Sequence, residues 1–383
     1  MHIANYMKNN ELNPFIIGKY VSDEYFCDRE KETELLKKQV FNGRNVTIIS
    51  DRRIGKSGLI SHLFAQKDIQ EHFYTISVDL YPTNSLAEMV CTFSEEVYRV
   101  IQHHSGTWKD KFFQVISSLR VGFKLDAITG SPTFDIGIGD IEAPSMTLEQ
   151  IFSFLELADK PCIVALDEFQ QIGSYEEQNI EALLRTYVQR CKKTQFIFAG
   201  SRKHLMAQMF LSPSKPFYQS TMNMGLEPID LTVYSDFVQR MFAKGNKQID
   251  YTTIERIYTL CRGITWHMQV LLNEMYTLIP EGGHSQSETV DAALNNILLL
   301  QEPFYREILA TLAPRQKKLL FALISEGKTK NITSSAFIAK HKLGSASSVQ
   351  SALKGLYEKD IVTKQDEAWL VYDIFLTQYV KTL

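Results

Sequence analysis

The stretch Ser50-Asp51-Arg52-Arg53-Ile54-Gly55-Lys56-Ser57 has the residue types and spacing that bind a phosphate chain. It follows the apolar run Val46 to Ile49 and precedes a helix-like segment, Gly58 to Gln66. Strand, loop with Gly-Lys-Ser, then helix is the setting of a phosphate-binding P-loop. Backbone N–H groups at the helix start point at an anion, and the helix dipole favours negative charge there. Gly55 lets the backbone approach a phosphate, Lys56 reaches the β- and γ-phosphates, and the Ser57 hydroxyl is a ligand for Mg²⁺. The remaining loop residues, Asp51, Arg52, Arg53, Ile54 and Gly58, would line the nucleotide phosphates. The first Gly of the eight-residue pattern is replaced by Ser50. A non-Gly residue at positive φ costs about 1–2 kcal/mol, so the loop either avoids that conformation or tolerates it.

A nucleoside triphosphatase also needs a second strand that ends in a carboxylate able to hold Mg²⁺. Cys162-Ile163-Val164-Ala165-Leu166-Asp167-Glu168 supplies an apolar run closed by two acids, about one hundred residues beyond Lys56. Asp167 is the second Mg²⁺ ligand of this reading, and Glu168 is the acid beside it. The plainer alternative for the acid pair is a helix N-cap after a buried strand.

These motifs need elements to position them, and the chain is long enough to provide several. At 383 residues, two or three domains are expected. The composition, 44% apolar and 22% charged, is that of a soluble globular protein. No apolar run approaches the roughly 20 residues of a membrane span, and Met1 to Asn13 has no signal-peptide core. Five scattered cysteines fit a reducing cytoplasm and argue against both a disulfide framework and a zinc site. Arg306 to Leu383 holds twelve Lys or Arg against seven Asp or Glu, an excess of +5, so the remainder carries −8 of the net −3. This mildly basic end suits nucleic acid about as well as it suits an ordinary solvated surface.

Strands are expected at Val46–Ser50, Phe73–Asp79, Cys162–Asp167, Gln195–Gly200 and Met222–Pro228. Helices are expected at Lys31–Phe41, Ser85–His103, Leu148–Leu157 and Ile180–Cys191. The alternation predicts a mostly parallel sheet covered on both faces. Arg120 to Ile138 instead alternates apolar and polar residues around Thr129-Gly130-Ser131-Pro132, the pattern of an inserted β-hairpin. After Pro228 helical periodicity takes over, at Asp236–Lys244, Tyr251–Cys261, Trp266–Leu278 and Ser287–Leu300. Beyond Pro314, three short helices (Gln316–Ser325, Ser334–Lys340, Ser345–Lys359) and two strands (Ile361–Lys364, Trp369–Tyr372) have the layout of a winged helix. The expected domains are an α/β core over 1–230 with an insertion at about 119–140, a helical lid over 231–302, and a winged helix over 303–383.

The chain resembles the prokaryotic, predominantly archaeal-type AAA+ ATPases of the STAND class. The resemblance is carried by Asn13-Pro14-Phe15 and Gly18, Phe26-Cys27-Asp28-Arg29-Glu30, the P-loop and the winged helix. It implies a P-loop NTPase sheet with helical lid and winged helix, binding ATP or ADP with Mg²⁺. It places Asn13, Pro14, Phe15 and Arg29 near the adenine and ribose. It has Glu168 polarise the attacking water and puts Gln195–Gly200 between the P-loop strand and the acidic strand. Ser201-Arg202 falls at the sensor-1 position, with Arg202 facing the γ-phosphate, where it would stabilise charge developing as the phosphoryl group leaves. The chain departs from the family at Asp28, Asp51, Ser57-Gly58 and Tyr218-Gln219-Ser220, where relatives carry Gly-Arg. It departs again at Gly263-Ile264-Thr265, where relatives have Gly-x-Pro; the nearby His267 suits a phosphate contact or, more commonly for a lone helical His, a structural place.

Three functions follow as expectations. The first is a Mg²⁺-dependent ATPase acting as a nucleotide-controlled switch, slow without a protein partner that the sequence does not name. The second is a regulator that contacts DNA through the winged helix, with Ser345, Ser347, Ser348, Gln350, Ser351 and Lys354 on the recognition helix and ATP as effector. The third is a nucleotide-binding scaffold that does not hydrolyse.

Overall fold

A computed structural model of the chain describes residues 13–18, 20–102, 108, 112, 123–125, 132–134 and 143–383. The chain divides into two compact units. One is Gly18–Ile229; the other is Asp230–Leu383 together with the N-terminal segment through Ile17. Residues 13–17, expected with the α/β core, thus belong with the helical part.

The first unit is an α/β layer structure. Its strands are β1 (Val46–Ser50), β2 (Tyr74–Asp79), a separate hairpin of β3 (Phe123–Leu125) and β4 (Pro132–Phe134), then β5 (Cys162–Asp167), β6 (Thr194–Gly200) and β7 (Met222–Leu226). The main sheet has the order β2-β5-β6-β1-β7, and every pairing in it is parallel. Position in the sheet explains the sequence patterns. The interior strands β5 and β6 are buried almost throughout and read as near-continuous apolar runs, whereas the edge strands β2 and β7 alternate. Within the interior strands successive side chains still enter different cores. Val164, Leu166, Phe196 and Phe198 join the aromatic side with Phe169, Phe210 and Phe217. Ile163, Ala165, Ile197 and Ala199 face Leu59, Ile60 and Leu63 of the helix after the P-loop.

Helices Glu30–Phe41, Lys56–Ala65, Leu86–Ile101, Pro144–Glu156 and Ile180–Arg190 lie where periodicity placed them, within a few residues. The short helices Lys67–His72 and Lys203–Leu211 were not anticipated. The inserted hairpin is present as β3 and β4, antiparallel, with Phe123 opposite Phe134. The rest of its expected span lies outside the described residues.

The second unit is helical and ends in a winged helix. Phe15 is its N-terminal plug: the ring is fully buried and packs on Phe237, Phe242 and Tyr276. Asn13 Nδ2 donates to the Asn273 carbonyl and Asn273 Nδ2 to the Phe15 carbonyl, each at 2.8 Å. Helices Leu231–Lys244, Tyr251–Cys261 and Thr265–Leu278 are followed by Ser287–Ala310, a 24-residue helix. This last helix was expected to end at Leu300. It continues through Pro303, whose ring removes one intrahelical bond. The flank there, Leu299, Leu300 and Phe304, is exposed, so water can satisfy the freed carbonyl.

In the winged helix, Pro314–Glu326, Ser335–His341 and Ala346–Glu358 precede β8 (Val362–Gln365) and β9 (Ala368–Val371). Asp366 and Glu367 both have positive φ, 47° and 64°, as the two central residues of a tight hairpin turn require. A final helix, Ile374–Thr382, was not anticipated; the Asp373 carboxylate caps it by accepting from the N–H groups of Phe375 and Leu376.

Candidate functional site

The C-terminal edge of the sheet gathers the P-loop and the acidic strand. Ser50 ends β1 in an extended conformation and is fully buried. The loop therefore avoids positive φ where the eight-residue pattern has its first Gly. Positive φ falls instead on Arg53 (58°) and Gly55 (103°). A Cβ added at Gly55 meets nothing within 4 Å, so glycine is required there by backbone conformation and not by space. Ile54 anchors the loop in the core beneath it. The first bond of the next helix runs from Leu59 N–H to Gly55 O at 2.9 Å, so the N–H groups of Lys56, Ser57 and Gly58 stand ahead of the ladder, where helices take anions.

The loop residues meet the acids across the sheet. The Ser57 hydroxyl donates to Asp167 Oδ2, while Asp167 Oδ1 accepts the Glu168 N–H at 2.9 Å. Lys56, buried, places Nζ 3.6 Å from Glu168 Oε1. The other Glu168 oxygen accepts from the Ser201 hydroxyl at 2.8 Å and from the Gln170 side-chain amide. Glu168 does stand at the N-cap of a short 3-10 helix, Phe169–Ser174, as the plainer reading of the acid pair has it, yet its side chain makes no capping bond. Arg202 follows Ser201 and opens helix Lys203–Leu211, likewise with no side-chain cap. Asp51 is ion-paired to Lys203 of that helix at 2.9 Å.

Sequence reading missed Asp79. It ends β2 opposite Asp167 in the parallel register, which makes it a third carboxylate on this edge. Burial pushes its carboxyl above the ordinary range, and the charges of Asp167 and Glu168 act in the same direction. Its only sequence signal was its place as the acid that ends a strand pattern. An aromatic group was missed as well. Phe26 stacks on His62 at 4.4 Å with Tyr20 edge-on to both, and a Cβ at Gly58 would lie 3.5 Å from the Phe26 ring.

Arg29 is buried, with φ 67°, and donates to Glu32 at 2.7 Å and to the Ile54 carbonyl at 3.2 Å. It is thus fastened to the P-loop backbone. Asn13, Pro14 and Phe15 lie in the helical unit, and the buried Phe15 ring has no face open for stacking on a base. His267 is fully buried in that same unit against Phe375 and Tyr372, with Nε2 3.9 Å from Asp373.

The donor set on the sheet edge, a hydroxyl and carboxylates, is all oxygen and suits a hard cation such as Mg²⁺. No group of three His, Cys, Asp or Glu among the described residues is arranged to hold a metal by itself. An ion held by Ser57 and Asp167 would therefore complete its shell with waters and substrate oxygens, as Mg²⁺ commonly does.

Residues 303–382 match the family model described as a probable winged helix domain. The fold is similar to that of the Walker-type ATPase PABY2304 of Pyrococcus abyssi, at a TM-score of 0.65 and 17% identity, covering 96% of this chain and 99% of that one. It is also similar to the ORC2 protein of Aeropyrum pernix in its ADPNP–ADP complexes, at a TM-score of 0.60 and 13% identity, covering 97% of each chain. No curated protein matches the chain in sequence. The architecture is that of a P-loop NTPase: a five-stranded parallel sheet between helices, followed by helical and winged-helix parts. Among the described residues, no helix is long and apolar enough to cross a membrane.

Proposed function

We propose that the chain is a Mg²⁺-dependent ATPase that works as a nucleotide-controlled switch, of the AAA+ type in the STAND class. One juxtaposition carries the reading: Lys56 and Ser57 of the P-loop meet Glu168 and Asp167 of the acidic strand in a single site. The similarity in fold to a Walker-type ATPase and to a protein solved with ADPNP and ADP agrees with it. The N–H groups at the start of helix Lys56–Ala65 and the Lys56 ammonium would bind the β- and γ-phosphates. Ser57 and Asp167 would hold Mg²⁺, which supplies neutralisation of charge on the phosphate oxygens. Glu168 would orient and polarise the attacking water through Oε1, and Arg202 would face the γ-phosphate. Arg29 would serve the nucleotide indirectly, by fixing the loop at Ile54. The switch output would pass through the helical unit, where helix Ser287–Ala310 runs unbroken into the winged helix. A protein partner would speed turnover, and a cytoplasmic setting suits the five free cysteines.

The test compares ATP binding and phosphate release for the wild type, Lys56→Ala and Glu168→Gln. Lys56→Ala should lose nucleotide, and Glu168→Gln should keep and trap ATP. Background release from all three, with ATP bound by the wild type, would instead identify a non-hydrolysing scaffold.

A second reading, DNA contact through the winged helix, is favoured by one observation. A pocket between helices Pro314–Glu326 and Ala346–Glu358 is lined by Arg315, Lys318, Lys342 and Ser348. Phosphate contacts by these cations would make duplex binding fall steeply with added salt. Binding that ignores salt, or that survives Lys318→Glu with Lys342→Glu, would remove this reading.

A further inference from the structure

We propose that Gln170 is a positioning residue for Glu168, acting with Ser201 to hold the carboxylate so that Oε1 faces Lys56. The proposal rests on the ATPase reading above and adds a part to the site that the P-loop and the acid pair do not contain.

The geometry begins with the backbone. Glu168 has φ 50°, which turns the chain sharply after β5 and starts the helical turn Phe169–Ser174. The side chain two residues on is thereby brought back over Glu168, and the Gln170 Nε2 donates to Glu168 Oε2. The Ser201 hydroxyl donates to the same oxygen at 2.8 Å. With two donors on Oε2, the carboxylate is fixed in rotation and Oε1 is the oxygen left toward Lys56, 3.6 Å away. The amide orientation follows from chemistry: the atom next to a carboxylate must be the nitrogen, because the amide oxygen cannot donate.

Gln170 is an expensive residue in this place. It is buried, and its own Oε1 has no hydrogen-bond partner among the described residues. Buried polar atoms are ordinarily paired, and an exception calls for a reason. Leu or Met would fill the volume without the unpaired oxygen, but neither could donate to Glu168. The neighbouring strand leaves room for the glutamine. A Cβ at Gly200 would lie 2.3 Å from Gln170 Oε1 and 2.5 Å from Met206. Gly200 does not have positive φ, so its lack of a side chain serves space and not backbone conformation. Gly200 and Ser201, adjacent at the end of β6, thus play complementary parts: one admits the amide and the other supplies the second donor.

The same geometry has a catalytic consequence. A base must stand within hydrogen-bond reach of its proton and in a fixed orientation. A glutamate free to rotate spends much of its time elsewhere. Gln170 and Ser201 remove that freedom before any ligand binds.

The experiment uses the full-length chain with Gln170→Met, Ser201→Ala, the double variant of these two, Glu168→Gln and, as the baseline for phosphate release, Lys56→Ala. Thermal melting without nucleotide, the affinity for a fluorescent ATP analogue with Mg²⁺, and kcat and KM for ATP are measured for each. Gln170→Met is expected to melt at or above the wild-type temperature, to bind the analogue within twofold, and to lose about tenfold or more in kcat. Ser201→Ala should lower kcat with KM kept, and the double variant should fall to the Glu168→Gln level and no further, since both donors act through one carboxylate. A Gln170→Met kcat within twofold of wild type, or a fall matched by lost melting temperature or lost affinity, overturns the positioning role and leaves the ATPase reading standing. A wild type that binds the analogue but releases no phosphate above Lys56→Ala overturns both.

Discussion

The Ser57 hydroxyl and the Asp167 carboxylate, 110 residues apart in sequence, are hydrogen-bonded to each other. Ser57 lies in the helix that follows β1 and the P-loop, and Asp167 ends β5; β6 separates the two strands. The two prospective Mg²⁺ ligands are therefore brought together by the fold alone. Ser57→Ala should leave the folded state almost unchanged, because the hydroxyl is exposed. It should abolish most of the gain in ATP affinity that Mg²⁺ provides. Titration of a fluorescent ATP analogue with and without EDTA checks this. An undiminished Mg²⁺ effect would show that Ser57 is not a ligand.

Family resemblance places Arg29 near the nucleotide, and the structure fastens its side chain to the P-loop backbone. Its guanidinium is engaged by the Ile54 carbonyl and Glu32. Arg29→Ala should destabilise the α/β unit by about 2 kcal/mol, the scale of a lost charged hydrogen bond, and should weaken ATP as the loop loosens. Arg29→Lys should restore little, because a single ammonium cannot reproduce the fork of the guanidinium. A variant that melts like the wild type but binds ATP poorly would point to direct contact with the nucleotide.

Phe15 gives the converse case. The ring is fully buried between Phe237, Phe242 and Tyr276. Phe15→Ala should cost about 3–5 kcal/mol, and Phe15→Leu much less. If Phe15→Leu keeps stability yet loses ATP affinity tenfold, the adenine role that family resemblance implies is supported. Chemical denaturation paired with nucleotide titration separates the two outcomes.

How legible these features were depended on how local their causes are. β1 and β5 are read to the residue, because a strand buried on both faces is mostly apolar (Thr47 alone interrupts β1) and these two end at Ser50 and Asp167, where the apolar runs stop. The turn at Asp366 and Glu367 falls in the gap between the two strands expected there. Asp79 is not, because it meets Asp167 only through the parallel register of β2 on β5. Ser201 meets Glu168 for a similar reason, 33 residues apart. Gln170 is near in sequence, yet its direction is set by the left-handed backbone at Glu168. The helix beyond Leu300 was hidden by Pro303, since solvent exposure of that flank is a property of the packed unit.

Glu156 shows how the approach to Ser201 and Arg202 is held. Its carboxylate accepts the N–H groups of Lys192, Lys193 and Thr194 and the Thr194 hydroxyl, at 2.8 to 3.2 Å, where β6 begins. Burial raises its pKa, but these hydrogen bonds outweigh burial and hold it below the ordinary value. A depressed carboxylate contributes stability that is present above its unfolded pKa of about 4.3 and is lost as pH falls through the folded value. Glu156→Gln should therefore cost about 1 kcal/mol at pH 7, similar to loss of a cap, and almost nothing well below pH 4. Equal differences at both pH values, read by denaturant titration, would exclude the charge as the cause.

Arg262 ties the helical part to the winged helix inside the second unit. It donates to the carbonyls of Val371 and Tyr372 at 2.9 and 2.6 Å, at the junction of β9 and the last helix. Burial lowers its pKa below that of a free guanidinium, but an arginine stays charged. Removing it leaves two carbonyls without their charged donor, so Arg262→Ala should destabilise the unit by about 2–3 kcal/mol. Arg262→Lys should recover part of that, as one ammonium reaches one carbonyl well. Under the switch reading, the helical part carries the nucleotide state to the winged helix. Arg262→Ala should then leave ATP affinity near wild type while the ATP-dependent change in amide exchange at residues 369–376 disappears. If that change persists in a folded Arg262→Ala protein, the signal reaches the winged helix by another route, with the continuous helix Ser287–Ala310 the next element to break.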